Sequence, residues 1–342
     1  MEDFPDLPEA ARSGQLTKLP PGVFTAERLG ARNAAGNTPL HAIAKYGGLR
    51  QLPAGVLTAA TLSLRNDSGY TPLHHAALGG HLDEVPAEFL TTALLSLSSN
   101  SGYTVFHVAA ANGHLGQLPA ALVSPEVALS RTHLGNTLLH EAAENGTLDR
   151  LPAAFLMPAN LLSRNLGGET VLHVAAFNGH LDQVPRDLVT AAALRETTAA
   201  GDTVFHAAAI SGHLGQIPAE FLTHDHLIIA CKTGFTVIHA AAENGQLAQI
   251  PRERLTADLL LTRNDNGDTP LHAAAYEGHL DQVPAELLTP ELLGVRNYDG
   301  VSVRRLAISR GFAGQLPAAL QPKPPGPVTR LLIRLGLARQ PQ

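Results

Sequence analysis

The chain has 342 residues, of which 44% are hydrophobic and only 4% aromatic, with no tryptophan, so any core must be built from Leu, Ala and Val. Lys plus Arg number 24 against 30 for Asp plus Glu, and a net charge of −6 has the wrong sign for broad contact with phosphate backbones, which excludes nucleic acid as a first partner class. The single cysteine, Cys231, excludes an internal disulfide and a cysteine metal cluster; it fits a reducing, cytoplasmic setting, with leaderless export to another cell left open.

At the amino end, Met1 to Pro8 is acidic and carries no apolar run, and nowhere do 18 apolar residues follow one another, so neither a signal peptide nor a transmembrane helix is expected. From Gly36 onward the chain is periodic. Gly36, Gly69, Gly102, Gly135, Gly168, Gly201, Gly234, Gly267 and Gly300 are spaced by 33 residues without insertion or deletion. The same step joins His41, His74, His107, His140, His173, His206, His239 and His272, and it joins ten prolines from Pro20 and Pro53 through Pro284 to Pro317. One short unit is therefore tiled, and each copy buries its apolar face against the next.

Within a copy the elements follow in order. The turn Asn264-Asp265-Asn266-Gly267 leads to Thr269, a good N-cap, then to Pro270 at the first helical position and the apolar run Leu271–Ala275. Gly278 can take the left-handed conformation that ends the helix. Eight or so residues are too few for an isolated helix, so small pairs such as Ala109-Ala110 and Ala208-Ala209 must allow close stacking on adjacent copies. Pro284 then falls where a second helix would be in mid-course, at a cost of about 3 kcal/mol per copy, so it is read as the first residue of a shorter helix. Ser124-Pro125-Glu126 and Thr289-Pro290-Glu291 mark another helix start, giving three helical segments per copy. After Leu320, Pro322, Pro324, Pro325 and Pro327 form a stiff spacer before a basic stretch with Lys323, Arg330, Arg334 and Arg339, in which Leu331, Leu332 and Leu335 share one helical face. Two readings stand: a lid folded over the last repeat, or a segment for a membrane surface or a partner groove.

Thr-Pro-Leu-His at Thr38, Thr71 and Thr269, its variants in the other copies, and Gly-His-Leu at Gly80, Gly113, Gly179, Gly212 and Gly278 together resemble the ankyrin repeat family. The resemblance implies an all-α, ankyrin-like repeat solenoid of stacked short helices: an N-terminal capping repeat at 1–35, eight repeats at 36–299, a C-terminal capping repeat at 300–320 and a Pro-rich basic tail at 321–342. The end copies degenerate as caps do. Leu7 and Pro8 stand where Leu and His belong, and Arg304 and Arg305 replace them at the far end. The interior proline departs from the family pattern and puts its projecting hairpin in doubt.

Seventeen histidines invite a metal hypothesis, but eight belong to the repeat position and His81, His114, His180, His213 and His279 to another. The resemblance implies that the first set bonds near the helix start and to the neighbouring unit. His224 and His226 flank Asp225 on different helix faces, and His140-Glu141-Ala-Ala-Glu144 has Glu where a zinc protease needs its second histidine. No phosphate-cradling loop or nucleophile elbow is found, so neither enzyme activity nor a cofactor or metal is expected. Arg32, Arg65, Arg131, Arg164, Arg263 and Arg296 recur at one position; they would bind a ligand as a row, or tie down their own loops or pair with acids such as Asp83, Asp182, Glu253 and Glu286, the favoured reading.

The expected work is recognition: a monomeric protein-binding scaffold or adaptor with a protein partner, no nucleic acid, and membrane contact only through the tail. A tail-tethered membrane-peripheral adaptor and an uncharacterised enzyme are the alternatives. Positions that vary between copies are free of packing. These are the residue after the repeat glycine and the slot after the alanine pair, which hold Tyr70, Tyr103 and Phe235, and Leu78, Phe177, Ile210 and Tyr276. In ankyrin-like stacks both slots look into the concave surface, by resemblance, so these seven, with His75 beside them, are the candidate contact residues.

Overall fold

The computed structural model describes residues 6–322; the basic stretch of the tail, residues 323–342, lies outside them. The regular elements among the described residues are short helices, with isolated β-bridges at the turns. Contacts divide the chain into two compact units, Met1–Ala193 and Leu194–Gln342. In the first, helix Leu7–Arg12 packs on Pro39–Tyr46, that on Pro72–Gly79, and so on through Val105–Ala111 and Leu138–Asn145 to Val171–Asn178. In the second the order is Val204–Ser211, Val237–Glu243, Pro270–Glu277 and Val303–Ser309. Each unit is thus a solenoid of stacked short helices in which sequence neighbours share one core.

The first helix of each repeat forms as its residues dictate. Thr269 sits at the N-cap in extended conformation, Pro270 opens the helix, and Gly278 ends it at φ 87°. Along this helix Leu271, Ala274 and Ala275 are buried, and the alanine pairs in the other repeats are likewise excluded from solvent. Gly80 needs both its positive φ of 78° and its missing side chain, because a Cβ there would lie 2.9 Å from the His114 ring of the next repeat.

The second half of the repeat corrects the expectation of three segments: there are four. After the first helix come a 3-10 turn at Leu280–Gln282, a second at Ala285–Leu287 and a short α-helix at Pro290–Gly294. Pro284 is the N-cap of the second turn, at φ −50° and ψ 133°, and not its first residue. Its extended backbone breaks what would be one helix into two single turns, so no interior hydrogen bond is sacrificed. What supports the first of these turns is a side chain from the following repeat. The Gln117 carboxamide accepts from Leu82 N–H at 3.1 Å and donates to the Gly80 carbonyl at 2.6 Å; Gln183 repeats the arrangement with Leu148 and Gly146, both at 3.0 Å. Glu84 takes the same position and accepts from the N–H groups of Gly48 and Leu49.

The repeat turns are compact, and among the described residues six of them are each closed by a single bridge, such as Arg131 with Thr137 or Arg296 with Ser302. They also bond from repeat to repeat, as in Asn100 N–H to the Ser68 carbonyl at 2.9 Å and Leu166 N–H to the Leu134 carbonyl at 3.0 Å. The arginine row belongs to this scaffold. Arg32 donates to the carbonyls of Gly36 and Arg65, Arg131 to those of Gly135 and Arg164, and Arg263 to those of Gly267 and Arg296. Each of these three guanidinium groups ties its own turn to the next one, while Arg164 and Arg296 donate to the carbonyls of Gly168 and Gly300 in their own turns. Of the acids named as alternative partners, two meet other cations: Asp83 lies against Arg50 and Glu286 against Arg252.

At the amino end Leu7, Val23 and Leu29 form a small buried cluster with Leu19, Phe24 and Val56 packed against it. In the last helix Arg304 and Arg305 are exposed, and Arg304 donates to the Leu320 carbonyl at 2.7 Å.

Candidate functional site

The repeat histidines are consumed by structure. Thr71 N–H donates to His74 Nδ1 at 3.1 Å and the Thr71 hydroxyl lies 2.8 Å from the same nitrogen. With Nδ1 accepting, the ring proton sits on Nε2, which donates to the Tyr103 carbonyl at 2.9 Å. His41, His140, His206, His239 and His272 reach in the same way to the carbonyls of Tyr70, Glu169, Phe235, Asp268 and Val301. Burial of a group that would have to carry charge holds these rings below the ordinary histidine range, His74 and His140 at about 4. Each histidine therefore caps its own helix and pins the main chain of the residue after the next repeat glycine. That residue's side chain is left free to vary.

Of the remaining metal candidates, His226 is similarly committed. His226 lies 2.9 Å from the Thr223 hydroxyl through Nδ1 and stacks on Phe205. Among the described residues one group of three ligand-type side chains comes within 4.8 Å, Asp202, His206 and Cys231. Of these, His206 already uses both ring nitrogens, Nδ1 with Thr203 and Nε2 with Phe235. Chelation with EDTA is accordingly expected to leave the thermal unfolding midpoint where it was. One zinc per purified chain, lost when His224 and His226 are replaced together, would contradict this.

In the first unit, Tyr70, His75, Leu78 and Tyr103 come together on one groove of about 450 Å³, with His74, Val108, Ala111, Asn112, Glu141, Glu144 and Asn145. Three consecutive repeats build it. Tyr70 and Tyr103 stand just before their helix caps, while Glu141, Glu144 and Asn145 fall on one face of Leu138–Asn145 by their three- and four-residue spacing. Glu141 is only 2% exposed and accepts from Asn136 Nδ2 at 3.0 Å. Burial pushes its carboxyl above the usual range, and the charges of Glu141 and Glu144 join burial in raising the Tyr103 phenol. His75, desolvated and beside His41 and Lys45, falls to about 3; its Nδ1 is buried without a hydrogen-bond partner among the described residues.

Phe177, 51% exposed, lines a separate groove of the same unit with Leu134, Leu166, Val174 and Glu144. In the second unit Phe235 and Tyr276 share a groove of about 450 Å³ with Glu243, Asp268, His272 and Leu306. The Tyr276 ring already carries a cation, since the Arg310 guanidinium lies 3.8 Å from its centre. Ile210 is 43% exposed at the end of helix Val204–Ser211. The residue that sequence reasoning missed is Glu141. Its signal was present: the position after the repeat histidine holds Ala or Val in most copies, as Ala42, Val108, Val174 and Ala207 do, and a carboxylate there is out of keeping. Among the described residues no helix is long and apolar enough to cross a membrane.

Comparison with known families finds two matching profiles: ankyrin repeats in three copies over residues 40–118 and 107–186, and a single ankyrin repeat over residues 266–289. No curated protein matches the chain significantly.

Proposed function

The chain belongs to the ankyrin repeat family, whose repeats are protein–protein interaction modules, and from that premise we propose that it is a scaffold or adaptor holding a protein partner on the face that carries the variable slots. One observation carries the reading. The residues that change from copy to copy, Tyr70, Leu78 and Tyr103 in one unit and Phe235 and Tyr276 in the other, line open grooves, while the Thr, Leu, His and Ala positions between them are buried in the stack. A scaffold that fixes the backbone and frees the side chain can alter its specificity without loss of fold. Large half-exposed apolar side chains such as Phe177 and Ile210 are suited to anchor such a contact, with their surroundings excluding water. The chain would do this as a monomer, without a cofactor and in a cytoplasmic setting.

The test replaces Tyr103, Phe177 and Tyr276 with Ala one at a time, after a partner has been recovered by crosslinking from the native source. At least one change is expected to weaken binding by roughly tenfold or more while circular dichroism and the unfolding midpoint stay close to the parent. Parental affinity in all three moves the contact to another surface, with the basic tail first in line now that the arginine row is engaged within the scaffold.

A further inference from the structure

We propose that the groove between Tyr70, Tyr103, Glu141 and Glu144 receives an arginine side chain of the partner protein. The inference rests on the reading of this surface as a protein contact and names the chemistry of what enters it. Charge complementarity is the first argument. The groove holds two carboxylates, and no lysine or arginine is among its lining residues. Its two histidines are both driven toward the neutral form by burial. The Asn136 amide engages Glu141 without neutralising it. A carboxylate 2% exposed and lacking a counter-ion is costly, and a cation from outside relieves that cost.

The choice of arginine over lysine follows from shape. Glu141 and Glu144, three residues apart on one helix, offer several carboxylate acceptors, and a planar guanidinium presents five donors where an ammonium presents three. Guanidinium is also less strongly hydrated, so it enters a half-closed groove more readily, and its flat face suits the tyrosine walls. The chain itself contains the pairing: Arg310 lies over the Tyr276 ring and donates through Nε to the Tyr276 carbonyl at 3.2 Å.

The experiment titrates the full chain with the blocked pentapeptide acetyl-Gly-Gly-Arg-Gly-Gly-amide and with its lysine and glutamine counterparts, following the methyl resonances of Val108 and Ala111 by NMR. The arginine peptide is expected to shift them saturably, the lysine peptide to bind several-fold more weakly, and the glutamine peptide to leave them unmoved. Glu144→Gln, an exposed change that cannot disturb the core, should weaken the arginine peptide by roughly tenfold. Glu141→Gln should do so at least as strongly, with its unfolding midpoint recorded alongside. Absence of shifts, equal shifts from the glutamine peptide, lysine binding as tight as arginine, or an unchanged affinity in Glu144→Gln each overturn the assignment. The two readings fail separately: if Tyr103→Ala weakens the recovered partner while the arginine peptide does nothing, the face is the contact and its occupant is not an arginine.

Discussion

Acid is expected to unfold this protein steeply between about pH 6.5 and pH 4, well before general carboxylate protonation would require it. The cause is the set of capping histidines together with His75, whose Nδ1 is buried. His41, His74, His75, His107, His140, His206, His239 and His272 are all held below the ordinary value of 6.5, with desolvation the largest cause in each. In the unfolded chain such a histidine takes its proton near 6.5; in the folded chain His74 and His140 resist until about 4. Between those values the unfolded state binds more protons, so lowering the pH removes stability. The contribution is complete above 6.5 and gone below the folded value. For His74 and His140, both fully buried, it comes to roughly 3 kcal/mol each. Together these two residues amount to roughly 6 kcal/mol, a large share of a stability of about 5–15 kcal/mol. Glu141 and Glu243, whose carboxyls are raised by burial, act in the opposite sense but are far outnumbered. Urea midpoints measured at intervals across this window provide the check. A flat profile down to pH 4.5 would show that the histidines are not buried in the neutral form.

Replacing Leu172 with Ala is expected to cost about 2–5 kcal/mol, the range for a fully buried leucine whose cavity cannot close. Leu172 has no exposure to solvent, and its helix Val171–Asn178 packs against Leu138–Asn145 of the preceding repeat. No repeat has a core of its own, so the loss falls on an interface and loosens both sides of it. Hydrogen exchange of the variant should therefore speed up in Leu138–Asn145 as well as in Val171–Asn178. A change limited to the mutated helix would mean that repeats fold independently, and the solenoid account would have to be given up.

The periodic skeleton was legible in the chain because its signals are local. A threonine cap, a proline at the first helical position and a glycine past the last turn act within one helix of eight residues, and Thr269, Pro270 and Gly278 adopt those roles. Tiling by 33 residues then implied stacking, and from stacking came the buried alanine pairs and the reading of the arginines as ties. The same tiling showed which positions change from copy to copy, among them the one held by Tyr70, Tyr103 and Phe235, and the proposed contact residues rest on that variation.

Other features could be decided only by contacts between repeats. The second half of the unit was read as three segments because propensity cannot show that Gln117 or Gln183, reaching back from the next repeat, would hold a separate turn in place. The groove at Glu141 was missed on similar grounds. Its wall takes Tyr70, Tyr103 and Glu141 from three successive copies, and whether a carboxylate in a small-residue position is solvated or 2% exposed depends on what the neighbouring copies place over it. The sequence by itself thus determined the repeat, its caps and the direction of stacking, because these follow from the conformational preferences of residues a few positions apart. The tertiary structure alone decided which polar groups exchange water for protein partners, since those partners lie some 29 to 37 residues away, such as the backbone carbonyl that His74 meets at Tyr103 and the one that Gln117 meets at Gly80.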